Sequence, residues 1–362
     1  MLIQCTRKLL EQLNIKSDSH VEENPLFSWH AHFLLVNRRK AVVLVNDLAR
    51  YVIVLHGLKA KDYKSFDQLL VEAIRETFEA EGIRDDVLDK YLTHSMEITY
   101  SKTKDRTSVA RLNKACETIY FYQDLLDHDD VINTELSKRV SRSLVGDGKN
   151  KYIRPNEELY KKLEEFVGHP IFMTKAVQLK VVLKLEDHHV WRRIVVPINH
   201  SFEELHDILQ TTFGWKNHHL HEFVIYEEND SEYHPIMNLV CDIEAFAYPK
   251  KTEMRLETDV KISEYIPTYK KIKYTYDFGD NWQHDIEVEE IIGDYHVNYP
   301  TCLEGEGNTP PEDVGGIYGY KEFLSILANP QHPDYNQMVR WGRMQGYKNF
   351  DIVMINGILK NR

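Results

Sequence analysis

Three short stretches of this chain put chemically capable side chains close together. In HLHEFVIY, residues 219–226, His219 and His221 stand two apart. Strand side chains alternate, so a strand here would put both imidazoles on one face, about 6.6–7 Å apart. Such a pair can hold a zinc-type ion if a third ligand arrives from elsewhere. The same pair also reads as the polar end of a strand rising from solvent. In YTYDFGDNWQHDIEVEE, residues 274–290, Asp277 and Asp280 precede His284. Alternation from Trp282 groups His284 with Ile286 and Val288, while Gln283, Asp285, Glu287 and Glu289 face the other way. His284 thus lies in an apolar row, as a satisfied core histidine would. The turn before it offers Asp277 and Asp280, either able to orient an imidazole or share a metal. Gly279 is expected to make the reversal. PTCLEGEGNTPPEDVGGIYGY, residues 300–320, holds five glycines and three prolines and supplies Cys302, Glu312 and Asp313. It reads as a long ordered loop, a kind that often carries function. A cysteine near histidine and aspartate can be a nucleophile or a metal ligand, or simply a buried thiol.

Around these stretches the hydrophobic pattern predicts the elements that must position them. VQLKVVLKLE (177–186) and VWRRIVVP (190–197) read as strands. SFEELHDILQTTFGW reads as a helix with Ser201 and Glu204 in a capping box and Phe202, Leu205, Ile208, Leu209 and Phe213 on one face. A strand at 219–226 follows, then strands at about 271–277 and 283–292, and helices near 319–328, 334–344 and 350–359. Strand, strand, helix, strand is the opening of a β-grasp-like core. In the first half, Leu2–Leu13 has a helical pattern, β-rich runs lie at 31–36, 41–46 and 51–56, and helices fit Ser65–Gly82 and Ser108–Leu126. The fold class expected is α+β with two domains, 1–170 and 171–362.

With 362 residues, two domains are the natural prior. No apolar run approaches a membrane span, and the opening residues contain no signal-type apolar core. Cys5, Cys116, Cys241 and Cys302 are scattered, without a CxxC, so neither a disulfide framework nor a zinc knuckle is indicated. A reducing cytoplasm is the simplest compartment. Residues 1–120 carry 18 Lys+Arg against 17 Asp+Glu, whereas residues 171–362 carry 19 against 30, a balance of −11. An acidic domain repels phosphate backbones, which disfavours nucleic-acid binding by the C-terminal half. The first half does carry a basic run, SKTKDRTSVARLNK. There Lys104, Arg106 and Arg111 could hold an anion at a helix start, or form a solvated basic face.

VWRRIVVP, LHDILQTTFGW, HLHEF, YDFGDNWQHDIEVE, YPTCLEGEGNTPPEDVGGIYGY and NPQHPDY occur in that order. This series resembles the plasmid pRiA4b open-reading-frame-three-like family over residues 176–350. The resemblance implies an α+β domain and possible carriage by mobile elements, and supplies no catalytic roles. Relatives are sometimes labelled resolvases. A recombinase needs arginines clustered about a serine or tyrosine nucleophile, and no such cluster stands in this sequence. WHAHFLLVNRRKAVVLVND and ITYSKTKDRTSVARLNK are similar to a small uncharacterised bacterial domain.

Three functions fit these residues. The first is a protein-binding adaptor with an unknown protein partner, favoured by the 11% aromatic content and by strand edges able to accept a partner strand. The second is a zinc-type hydrolase or acid–base enzyme. Its metal ligands would come from His219, His221, His284, Asp277 and Asp280, and its catalytic groups from Glu312, Asp313 and Cys302. Nucleic-acid binding ranks third. Spatial convergence of the histidines and acids separates the first two.

Overall fold

The computed structural model describes residues 1–18, 23–95, 97–146, 148, 151–186, 188–229 and 232–361. The chain is α+β and divides into two compact units, Met1–Met173 and Thr174–Arg362. Among the described residues, no helix is long and apolar enough to cross a membrane.

The first unit is built on β1 (Leu2–Cys5), β2 (Ser28–Val36), β3 (Arg39–Asn46), β4 (Val52–His56) and β5 (Thr99–Lys102), in the order β4-β3-β2-β1-β5. Strands β2 to β4 form an antiparallel meander, and β1 pairs in parallel with both β2 and β5. Its helices are α1 (Arg7–Leu13), α2 (Ala60–Lys64), α3 (Phe66–Ala80), α4 (Asp85–Leu92), α5 (Arg106–Phe121), α6 (Thr134–Ser141) and α7 (Pro155–Val167), with a two-residue pairing of β6 (Val145–Gly146) and β7 (Tyr152–Ile153). The helical pattern over Leu2–Leu13 therefore begins with a strand. All four β1 residues are buried, and a short strand buried on both faces shows no alternation to read.

The second unit contains one eight-stranded sheet. Its strands are β8 (Thr174–Leu183), β9 (Val190–Pro197), β10 (His221–Asn229), β11 (Glu232–Val240), β12 (Glu253–Leu256), β13 (Lys271–Tyr276), β14 (Trp282–Tyr295) and β15 (Thr301–Glu306), in the order β12-β11-β10-β13-β14-β8-β9-β15. All neighbours are antiparallel except β11 and β12. Helix α8 (Phe202–Phe213) begins in the expected capping box, since Glu204 N donates to Ser201 Oγ and Ser201 N donates to a Glu204 carboxylate oxygen. Its apolar face enters the core with Val177, Ile194, Phe223 and Ile272. Helices α9 (Ile262–Tyr265), α10 (Gly316–Ala328), α11 (Tyr335–Met344) and α12 (Ile352–Leu359) complete the unit. The connection strand, strand, helix, strand is present as β8, β9, α8, β10. The hairpin β13–β14 lies between β8 and β10, so the first and third strands of that motif do not pair. Residues 301–306, expected within a loop, instead extend the sheet edge beside β9.

One buried ionic cluster ties the helices of the first unit together. Glu81 accepts hydrogen bonds from Tyr51 Oη (2.7 Å), Tyr160 Oη (2.8 Å) and both terminal nitrogens of Arg142 (3.1 and 2.7 Å). Removing one partner of a buried pair strands the other charge, which costs about 3–5 kcal/mol. Glu81→Ala is expected to destabilise this unit on that scale and Glu81→Gln less. Denaturant unfolding with hydrogen exchange read in β4 and α3 checks this; a loss below about 1 kcal/mol would place the cluster among surface-type pairs.

Candidate functional site

Three segments converge in the second unit. The first leads from α8 into β10. Trp215 Nε1 donates to Pro310 O (3.0 Å), Lys216 N donates to Glu312 Oε1 (2.7 Å), and His219 lies two residues before β10 begins. The second is the tip of the β13–β14 hairpin. Asp277 and Asn281 both take left-handed backbone, at φ 55°, while Gly279 does not. The reversal thus rests on Asp and Asn, which tolerate that region through local hydrogen bonds. Asp277 Oδ1 accepts from Gly279 N (2.9 Å) and Asp280 N (3.3 Å), leaving Oδ2 turned towards His219. The third segment is the loop 307–315, latched to the hairpin tip where Gly315 N donates to Asp280 Oδ2 (3.1 Å).

At the meeting point, His219 Nε2 stands 3.1 Å from Asp313 Oδ1, 3.6 Å from Asp277 Oδ2 and 3.7 Å from Glu312 Oε2. One ligand atom from each of His219, Asp277 and Asp313 lies within 4.8 Å of the other two. Ligands bound tetrahedrally at about 2.0–2.2 Å from one ion stand about 3.3–3.6 Å apart, close to the 3.1 and 3.6 Å between His219 Nε2 and the two aspartates. His219 Nε2 is buried and makes no hydrogen bond. Asp277 and Glu312 are buried, His219 is half-buried and Asp313 is exposed, so the cluster opens to solvent on the Asp313 side. Glu312 also accepts from Tyr276 Oη (3.0 and 3.3 Å). Burial, reinforced by the Glu312 charge, pushes the Tyr276 phenol up, so it serves as a donor.

The other candidate residues lie elsewhere. His221, expected on the same strand face as His219, is the first residue of β10, and His219 precedes the strand. Alternation therefore does not relate them. His221 Nε2 instead sits 2.7 Å from Glu257 Oε1, and its ring stacks on His206 at 3.4 Å and 1°. His206 is held by Tyr274 Oη (2.7 Å) and Asn217 Oδ1 (2.8 Å). Burial pushes both imidazoles down to about 4 and the Glu257 carboxyl up to about 7. Burial thus opposes charge on either partner of the His221–Glu257 contact. His284 occupies the apolar row as its parity indicated. It is enclosed by Phe213, Trp215 and Tyr274, and burial holds it down to about 3. Cys302 is a core residue on β15, its backbone bracketed by Asn356, and burial pushes its thiol up to about 11. A thiol held protonated in this way is a poor nucleophile at neutral pH, and Cys302 is not among the residues that gather at His219. Asp280 serves as the latch, with no oxygen directed at His219 among the contacts of the cluster. In the first unit, Lys104 is paired with Glu23 (2.6 Å), and Asp105 caps α5 by accepting from Ser108 N (2.7 Å). A carboxylate therefore already occupies the helix start where Arg106 stands.

The residues that sequence reasoning missed are Glu257, His206 and Tyr276. His206 falls on the apolar face of α8 and was legible from that position. Glu257 lies in a single 3-10 turn, where no periodicity marks it.

The model of the plasmid pRiA4b ORF-3-like protein family matches residues 175–357, the part of the chain that carries this cluster. The chain belongs to that family. Residues 2–158 match a domain of unknown function, DUF6933. The uncharacterized protein y4hQ of Sinorhizobium fredii is 33% identical over 174 residues, covering 47% of this chain and 81% of its own length. A crystal structure of MM3350, a protein of unknown function from Methanosarcina mazei Go1, is also similar. It has 33% identity and a TM-score of 0.42, and covers 50% of this chain and 97% of its own. The family match and both relatives thus come without a named reaction.

His284 gives a test of the polar core. Its folded pKa lies below the ordinary 6.5, so acid favours the unfolded chain. Stability is fully present above pH 6.5 and is lost as pH falls towards 3, by about 1.4 kcal/mol per pH unit. His284→Phe is expected to flatten that slope by one proton's worth. Tryptophan-monitored unfolding between pH 4 and 7 measures it; an unchanged slope overturns the assignment.

Proposed function

We propose that the second unit is a divalent-metal-dependent acid–base enzyme of hydrolytic type, with His219, Asp277 and Asp313 as ligands. Charge balance carries this reading. Three carboxylates lie within 3.1–3.7 Å of one imidazole nitrogen. Among the described residues no lysine or arginine pairs with any of them; the Lys216 ammonium turns away to Met344 O and Gln345 Oε1, both at 2.8 Å. Like charges gathered this closely call for a cation. A mixed nitrogen and oxygen set suits Zn²⁺ or Mn²⁺. Three protein ligands leave positions open for water and substrate, and a bound ion lowers the pKa of that water. Glu312 is buried and fixed by Tyr276 and the Lys216 amide, which suits a general base for that water. The opening beside Asp313 gives a route to it.

Isothermal titration of chelator-treated full-length protein with Zn²⁺ and Mn²⁺ tests the site. One equivalent of at least one ion should bind. His219→Ala and Asp277→Asn should each weaken binding by more than about tenfold, since even losses outside the ligand sphere reach that size. His284→Phe should bind as the wild type does. Absence of stoichiometric binding by the wild type removes this reading.

A second reading, a protein adaptor, is favoured by Ile243, Phe246 and Tyr248, which are 71%, 42% and 80% exposed in the segment leading to the edge strand β12. An edge strand beside exposed aromatics suits strand addition. A partner complex lost in Tyr248→Ser and kept in His219→Ala would select it.

A further inference from the structure

The first unit contains a cavity that the metal reading does not use. It measures about 250 Å³ and lies between α5 and the β3–β4 region. Buried Val45, Val52, Ala115 and Val140 line it. The segment at Val145–Gly146 forms another wall, held by a hydrogen bond from the Arg50 guanidinium to Gly146 O. On α5, Thr107, Arg111, Lys114 and Thr118 follow one another at three- and four-residue spacing, so one helical stripe runs along the cavity. Small side chains on that helix leave the space open, and its two cations stand beside the apolar lining.

The two cations differ in their commitments. Lys114 pairs with Glu117 at 3.0 Å, both exposed. Arg111 is half-buried and, among the described residues, makes no hydrogen bond or ion pair. A guanidinium carries five donors in a rigid fork matched to carboxylate or phosphate oxygens. Beside an apolar cavity that fork can take the head of a ligand anion. The apolar lining, in turn, would be filled by a hydrocarbon body and gains nothing from a free inorganic ion.

We propose that this cavity binds an apolar-tailed anion, with its carboxylate or phosphate head on Arg111 and its tail over Val45, Val52 and Val140. This site is separate from the His219 cluster and stands or falls independently of it.

Calorimetric titration of the full chain with decanoate, decyl phosphate and decanol tests the proposal. One equivalent of at least one anion should bind, roughly tenfold or more tighter than decanol, the scale of one charge-assisted hydrogen bond. Preference for decanoate assigns a carboxylate head, and preference for decyl phosphate a phosphate head. Arg111→Gln should weaken the anions by a similar factor and leave decanol unchanged. Ala115→Leu should block all three ligands, and Thr118→Leu serves if that variant fails to fold. No binding by the wild type overturns the proposal. So does anion binding that survives both Arg111→Gln and the cavity-filling change, because that pattern marks surface adsorption.

Discussion

The second unit depends on one buried cation that has no anionic partner among the described residues. Arg192, on β9, is 2% exposed. Its Nε donates to Thr212 O (3.0 Å), Nη1 to Trp191 O and Glu306 O (both 2.7 Å), and Nη2 to Gly307 O (3.0 Å) and Thr309 Oγ1 (3.3 Å). Phe350 and Phe213 cover its faces at 4.2 and 5.1 Å. Carbonyl dipoles replace water around the charge. Thr212 lies in the last turn of α8, where the helix dipole favours a cation. Burial lowers the guanidinium to about 10, so it remains charged at neutral pH. A single side chain thus joins β9, the end of α8, the end of β15 and the start of the loop that delivers Glu312 and Asp313. Lysine could not replace it, since a point charge lacks the planar fork. The approach is so close that Gly305 and Gly307 are required. A Cβ on Gly305 would meet Arg192 Cδ at 2.8 Å, and one on Gly307 would meet His189 O at 2.2 Å.

Buried polar atoms without a partner occur in both units, and five of them gather in the second. His219 Nε2, His221 Nδ1, Glu257 Oε2, Trp282 Nε1 and His284 Nε2 are all buried without a hydrogen bond. Each such atom costs about 1–3 kcal/mol in a protein interior. Sequences depart from complete polar satisfaction chiefly where function requires it. The five atoms lie on or next to β10 and β14 and in the turn before α9.

Much of this architecture was written in the sequence. Alternation from Trp282 placed Trp282, His284 and Ile286 in one row, which is buried, and Glu287 in the other, which is exposed. The capping box at Ser201 located the start of α8, because that signal is local and chemical. Features set by tertiary contact were not legible. Whether His219 belongs to β10 depends on where pairing with β13 stops, and pairing begins at His221↔Tyr276. Residues 301–306 became a strand because β9 offered a free edge, which glycine and acid content in the segment conceals. Glu257 meets His221 although the two are 36 positions apart in the chain, and nothing in either local pattern announces the other. Of the residues gathered from the sequence, His219, Asp277, Glu312 and Asp313 are those the fold brings together.

The position of β1 has a kinetic side. It is the second strand from one edge of its sheet, although it comes first in the chain. Its partner β2 begins at Ser28 and its other partner β5 at Thr99. The sheet therefore closes on β1 from both sides, and the second closure spans nearly a hundred residues. Non-local pairing of this kind carries its entropy cost before it returns any contact energy, which slows folding. Until β5 is in place, β1 presents an unpaired edge. A nascent first unit thus completes its sheet late, after α3 and α4 have already been made.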